Sequence, residues 1–258
     1  VRRVGTLPRS ETQTSEAIVD LSIVIPAYNE SSRIERTLER LLAFLGARAH
    51  SWEVVVADDG SRDRTADLVE AFAAARDERR IRVVRLGVNQ GKGAALRAGV
   101  LASRGARVLV MDADLATPLE ELSALEHALD AGHQIATGSR AVAASRIQRA
   151  QSPLRILLGR AGNLWIRLLA VPGIHDTQCG FKLFDGNIAR ELFARSRENR
   201  FGIDIEILCI ATRKMKLDVA EVGVAWEHQS GSKVTWRDYV DVLFKVPRIA
   251  LWVQRQRP

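Results

Sequence analysis

At 258 residues, 47% hydrophobic and 27% charged, the chain can bury a full core and has the composition of an ordinary globular protein. Lys and Arg exceed Asp and Glu, 38 to 31, and the formal charge of +7 points to anionic partners such as sugar nucleotides, acidic lipid or nucleic acid. The two cysteines, Cys179 and Cys209, exclude a disulfide framework and suit reduced thiols in a cytoplasmic enzyme, while 5% aromatic content without a nucleic-acid reading motif argues against nucleic-acid binding.

Residues 1–20 are polar and lack the apolar centre of a signal peptide, so a flexible tail is expected there. Between residues 21 and 139, short β-branched runs alternate with helical periods. The runs are 21–26, 52–57, 81–86, 106–111 and 133–139; amphipathic stretches fall near 32–46, 62–75, 92–103 and 119–131. Apolar runs without polar alternation suit strands covered on both faces. The repetition predicts an α/β fold with a doubly wound, mainly parallel, Rossmann-like sheet, whose ligands lie beyond the carboxyl ends of its strands.

After residue 140 the regularity breaks. Leu154, Leu157, Leu158, Ala161, Leu164, Trp165, Leu168 and Leu169 form one helical stripe, and Trp236, Val240, Leu243, Phe244, Pro247 and Ala250 a second. Arg155, Arg160 and Arg167 flank the first stripe, and Arg237, Lys245 and Arg248 the second. Two readings stand: both helices pack on the core, or at least one rests on a membrane surface with basic residues beside an apolar, Trp-bearing face. The expected organisation is a tail over 1–20, a domain over 21–235 and a C-terminal amphipathic, membrane-interfacial helix over 236–258. No window of about eighteen residues is apolar enough to span a bilayer.

The polar motifs follow the strands. "PAYNE" (26–30) ends the first run and "ADDGSRDRT" (57–65) the second, placing Asp59 where it could accept hydrogen bonds from a base or ribose. The plainer reading makes Asp58 and Ser61 turn and capping residues. "NQGKGAAL" (89–96) puts Lys92 between two glycines at a helix start, a place that favours an anion. "LVMDADLATP" (109–118) ends a buried run in Asp112 and Asp114. Side chains at i and i+2 of a strand face one way, so both carboxylates would meet one cation, and Mg2+ or Mn2+ takes one or two carboxylates plus substrate phosphates and water.

In this order the motifs resemble family-2 glycosyltransferases of the GT-A fold, over residues 21 to about 240. The resemblance implies a nucleotide-sugar donor, with Pro26, Tyr28, Glu30 and Asp59 at the nucleoside and Asp112 and Asp114 on the metal. "PGIHDTQCGFKLF" (172–184), "RFGIDIEIL" (200–208) and "GSKV" (231–234) look like the dolichyl-phosphate glucosyltransferase branch. Related mannosyl enzymes carry a glutamine at the position of Ala116, so "DADLATP" leans towards glucose, although Leu115 replaces an expected glycine. Eukaryotic members of the branch carry an N-terminal membrane helix that is not found here. Peripheral attachment at the cytoplasmic face of the plasma membrane is the expectation, and a homodimer is counted among the candidate partners.

The activity implied is inverting, metal-dependent transfer of a hexose from UDP-glucose to a polyprenyl phosphate of the dolichyl type. Alternatives are polyprenyl-phosphate mannosyl transfer from GDP-mannose, or transfer to a soluble hydroxyl acceptor with Asp176 or Asp204 as base. Arg140 and Lys233 are candidates to hold the phosphates, with Lys92 and Lys182 behind them. Asp114, Asp176 and Arg140 form the expected catalytic set, and Gln178 is expected to meet a sugar hydroxyl. Asp204 and Glu206 share a face if 201–208 is a strand and separate if it is a helix. Cys179 reads as a packed small residue, because inverting transfer forms no covalent enzyme intermediate.

Overall fold

The computed structural model describes residues 19–142, 145–147, 162–227 and 236–255. The first half alternates β1 (Val19–Ala27), α1 (Ile34–Gly46), β2 (Trp52–Asp58), α2 (Thr65–Ala75), β3 (Ile81–Arg85), α3 (Lys92–Ala102) and β4 (Gly105–Met111). A 3-10 turn then leads into α4 (Leu122–Asp130) and β5 (Ile135–Ser139), followed by the short β6 (Arg146–Ile147). Helix α5 covers residues 162–169. The remainder is β7 (Phe181–Asp185), α6 (Gly186–Arg195), α7 (Ile203–Cys209), β8 (Val219–Gly223), β9 (Ala225–Trp226) and α8 (Trp236–Arg255).

All five runs read from the sequence are strands, shifted at their ends by a residue or two. They join a seven-stranded sheet ordered β3-β2-β1-β4-β7-β5-β8, beside a separate β6-β9 pair. The sheet is parallel except for β7, which runs antiparallel to both β4 and β5. Sequence reading missed β7 because "FKLFD" is short and carries Lys182 at its second position, a residue seldom found inside a sheet. It is inserted between β4 and β5, while β1 and β4 lie side by side where the winding reverses, so "PAYNE" and "DAD" emerge from neighbouring strand ends.

Strand parity divides the core. Ile23, Ile25, Val54, Val56, Leu109 and Met111 face α1, α2 and α4, while Val24, Val55, Val108 and Val110 face α3, α6, α7 and α8. The amphipathic stripes are oriented differently from a simple core packing. On α5, Ile166 is buried, whereas Leu164, Trp165 and Leu168 are exposed. On α8, Val246, Ile249, Ala250 and Val253 pack inward, and Leu243, Phe244 and Leu251 point out. Trp165 Nε1 donates to the Leu243 carbonyl at 3.3 Å, so the two outward faces adjoin. Leu154, Leu157, Leu158 and Ala161 lie outside the described residues. Among the described residues no helix is long and apolar enough to cross a membrane.

At the opposite edge from the ligand loops, Glu53 is buried at the start of β2. Its carboxylate accepts from Ser22 Oγ and the Arg104 backbone N–H, each at 2.6 Å, and from Arg82 and Arg104 at 3.2 Å. Burial pushes this carboxyl up, but those hydrogen bonds and the Arg82 charge outweigh it and hold it below the ordinary glutamate value. A depressed carboxylate stabilises the fold above its unfolded pKa and loses that contribution as pH falls through the folded one. Glu53→Gln is therefore expected to cost about 1–3 kcal/mol at neutral pH. Urea midpoints measured across a pH series should show the gap to wild type narrowing below about pH 4.3.

Candidate active site

The loops after β1 and β2 are stitched together by short polar side chains. Asn29 N–H donates to Ser61 Oγ at 2.9 Å, Asn29 Oδ1 accepts from Arg62 N–H at 2.8 Å, and Glu30 N–H donates to Thr65 Oγ1 at 2.8 Å. Asn29 adopts a φ of 52° and Gly60 one of 65°, which lets both chains turn back over the sheet edge. Asp63 anchors the far side of this seam. Burial raises its pKa, yet bonds from Thr65 and Ser31 bring it down to about 2.

Pro26, next to last in β1, is in register with Ala57, and Tyr28 and Glu30 follow half-buried at the rim. Asp59 is almost wholly buried, and its carboxylate accepts from Asn89 Nδ2, Gln90 N–H and Gly91 N–H, all at 2.8 Å. Those bonds tie the glycine loop to β2. Asp58, read as a turn residue, uses Oδ2 for the Ser61 N–H at 3.1 Å, while its buried Oδ1 has no hydrogen-bond partner among the described residues. That orphaned acceptor carried no signal in the sequence beyond its place beside Asp59.

Strand β4 ends at Met111, so strand parity does not reach Asp114. Both aspartates lie in the loop beyond it, close enough for the charge of Asp112 to act on Asp114, and the chain then turns away through Leu115 at φ 54°. Asp112 Oδ1 meets Lys92 Nζ at 2.7 Å. Asp114 accepts from Ala116 N–H at 3.0 Å, and burial followed by the like charge of Asp112 pushes its carboxyl up. Thr37 Oγ1 donates to the Ala113 carbonyl at 2.6 Å, fixing the turn to α1. Gly180 is required beside it, because a Cβ there would stand 1.9 Å from Asp112 Oδ2.

Beneath the motif the charges alternate. Lys92 Nζ lies 3.9 Å from Asp204 Oδ2, and Asp204 Oδ1 takes Lys182 Nζ at 2.6 Å. Lys182 also donates to the Cys179 carbonyl at 2.5 Å. Helix α7 settles the orientation of "DIE": Asp204 faces Lys182, while Glu206 accepts from the backbone of Arg197 and Glu198 at 3.0 and 2.8 Å. Arg140, at the end of β5, grips Asp176 with Nε at 2.7 Å, Nη2 at 2.9 Å and its own backbone N–H at 2.9 Å. For both Asp176 and Asp204 burial acts to raise the pKa, but the cations beside them reverse it and hold both carboxyls below the usual aspartate value. Burial pushes the Cys179 thiol up to about 11, as fits a packed side chain. Gln178 sits half-buried in the same loop. Lys233 lies outside the described residues.

Sequence reading also missed a cavity of about 540 Å³ beside Asp114, lined by Arg33, Arg36 and Arg40 on one side of α1 and by Leu115, Leu119 and Glu227. The signal was present as an i, i+3, i+7 arginine series, but such a series on an amphipathic helix reads as a solvated face. A divalent cation fits the acidic motif: two like-charged aspartates lie close there, and Asp114 is half-buried with its carboxyl pushed up by burial and by Asp112. Among the described residues no group of three or more His, Cys, Asp or Glu side chains comes together to hold a metal, so substrate phosphates and water would complete its ligands.

The family model described as glycosyl transferase family 2 matches residues 22–193. A dolichyl-phosphate beta-glucosyltransferase of Trichomonas vaginalis is 38% identical over 251 residues, covering 93% of this chain and 74% of the relative. Its human counterpart is 36% identical over 225 residues, covering 83% and 69%. Among solved structures, glucosyl-3-phosphoglycerate synthase of Mycobacterium tuberculosis, in complex with Mn2+, UDP and glucosyl-3-phosphoglycerate, superposes with a TM-score of 0.66 at 21% identity. It covers 92% of this chain and 81% of that one, and shares the fold. From the matched motifs, the sheet order and these relatives together, the chain is a glycosyltransferase and belongs to glycosyl transferase family 2.

Proposed function

We propose that the chain transfers glucose from UDP-glucose to dolichyl phosphate or a similar polyprenyl phosphate, with inversion at the anomeric carbon. One observation carries the choice of acceptor: both candidate bases, Asp176 and Asp204, are buried and already engaged by Arg140 and Lys182. A hydroxyl acceptor would need one of them free to take a proton. A phosphate is already anionic and needs only positive charge to dock it, which the partly exposed guanidinium of Arg140 and the arginine-lined cavity beside Asp114 offer. The names of the similar proteins support glucose and dolichyl phosphate.

The reaction balances without a base. A phosphate oxygen of the acceptor forms the new bond to the anomeric carbon from the side opposite UDP. The old bond to the β-phosphate oxygen breaks, and its electron pair leaves with UDP. An α-linked donor thus yields a β-linked product, and no proton moves. Asp112 and Asp114 would hold Mg2+ or Mn2+, which when bound neutralises charge on the departing diphosphate. Asp58 and the seam of Asn29, Glu30 and Ser61 border the nucleoside. Gln178, in the loop held by Arg140 and Asp176, lies where a sugar hydroxyl would need a partner.

A lipid acceptor also gives the outward faces of α5 and α8 a purpose. Leu164, Trp165, Leu168, Leu243, Phe244 and Leu251 form adjoining exposed apolar surface, and Arg248 beside them is exposed. These faces rest on the membrane surface in this reading, with the net charge of +7 favouring anionic lipid.

Incubation with labelled UDP-glucose and dolichyl phosphate should give an organic-extractable, acid-labile product, with GDP-mannose a poor substitute. Label appearing only in water-soluble glycosides would exclude the lipid acceptor. Asp114→Asn is expected to lower turnover by about 10²-fold or more. Arg140→Ala leaves Asp176 buried without its cation, so urea unfolding should register a loss of about 3–5 kcal/mol. The double variant Leu168→Ser, Phe244→Ser should co-sediment with anionic vesicles about 10²-fold or more weakly while its melting temperature holds, since each side chain gives up about 1.5–3 kcal/mol of burial in lipid. Unchanged vesicle binding would rule out these faces as the contact.

A further inference from the structure

Lys92 is placed where a cation ligand site should be open. Its ammonium sits 2.7 Å from Asp112 Oδ1, and the other oxygen, Oδ2, is packed against Gly180. Lys92 thus holds one oxygen of the first motif aspartate, whose side chain stays 41% exposed. The second carboxylate near Lys92, Asp204 at 3.9 Å, is matched by Lys182 at 2.6 Å in a pair that is almost wholly buried, so the charge of Lys92 is left for Asp112. Lys92 is also the first residue of α3, an eleven-residue helix whose amino end favours an anion. Gly91 and Gly93 press against the backbone of Glu198 and Asn199, which fixes the start of that helix and leaves the lysine stem as the movable part.

We infer that Lys92 couples donor arrival to cation capture: its ammonium occupies Asp112 in the empty enzyme and passes to the donor's diphosphate, releasing Asp112 to the cation. A diphosphate carries more negative charge than one carboxylate, and a lysine is a point charge on a flexible four-carbon stem, so the exchange needs no backbone movement. In consequence the empty site takes up a divalent ion poorly, and the nucleotide opens it. The inference rests on the reading of Asp112 and Asp114 as cation ligands.

Mn2+ binding, followed by electron paramagnetic resonance of the free ion, tests it without turnover. Wild type, Lys92→Gln, Lys92→Met and Lys92→Arg are compared with and without UDP, after subtraction of Mn2+ bound by UDP alone. Lys92→Gln and Lys92→Met are expected to bind Mn2+ about tenfold more tightly than wild type when UDP is absent, having lost the competing charge. The gain on adding UDP should shrink accordingly, and Lys92→Arg should keep the wild-type dependence. Folded neutral variants with unchanged UDP-free affinity would overturn the inference and leave Lys92 a structural counter-ion. Wild type that binds no Mn2+ even with UDP would overturn the cation reading itself. A crystal of wild type with UDP and Mn2+ decides the matter without any variant: Lys92 Nζ is expected on a phosphate oxygen, and an ammonium still on Asp112 refutes the exchange.

Discussion

A buried run of alternating charge governs this molecule. Asp112, Lys92, Asp204 and Lys182 follow one another through contacts of 2.7, 3.9 and 2.6 Å, and Asp176 with Arg140 closes the same region a few residues away. Each charge would be costly to bury alone, and each becomes tolerable only when the next element delivers its partner. The partners come from the loop after β4, α3, α7, β7, the loop after β5 and the loop before β7, so no two consecutive members belong to the same element. The network therefore constrains how these elements meet, independently of how much net stability it contributes.

That constraint shapes the chemistry. Carboxylates held by lysine and arginine below the ordinary aspartate range make poor proton acceptors, so a site built this way suits an acceptor that arrives already ionised. Asp114 is the exception. Burial and the neighbouring Asp112 push it the other way, and it faces the cavity that Arg33, Arg36 and Arg40 line. Positive charge from the substrate complex would relieve that carboxylate, while the surrounding pairs stay closed. The sheet order supports the division of labour: the loops of β1 and β2 border one side of the β4 end, and the antiparallel β7 with β5 borders the other.

Much of this was legible along the chain, for a physical reason. Strands buried on both faces must be apolar throughout, so "LSIVIP", "WEVVVA" and "ARVLVM" declare themselves without any tertiary knowledge. Loops at strand ends must carry turn residues and hydrogen-bonding groups, so "PAYNE", "DDGS" and "DAD" stand out against them. Strand β7 did not, because Lys182 looks like a surface residue until Asp204 is brought opposite it. The outward faces of α5 and α8 were ambiguous for a related reason. Periodicity shows that a helix has an apolar stripe, but not whether Ile166 and Val246 or Trp165 and Phe244 meet the core.

The sequence by itself determined the fold class, the order of the polar motifs and the presence of two adjacent aspartates after a buried strand, since local composition and period answer to local burial. Tertiary structure decided which charges meet. Asp59 turned out to tie the glycine loop, Asp176 to be clamped by Arg140, and Lys92 to cover Asp112, although these partners stand 20 to 36 positions apart in the chain at the least and most. Electrostatic pairing acts through space at a few ångströms, and no spacing along a sequence reports that distance. For the same reason the nearness of the two aspartates of "DAD" is a property of the loop after β4, which ends at Met111, and not of the strand's pleat.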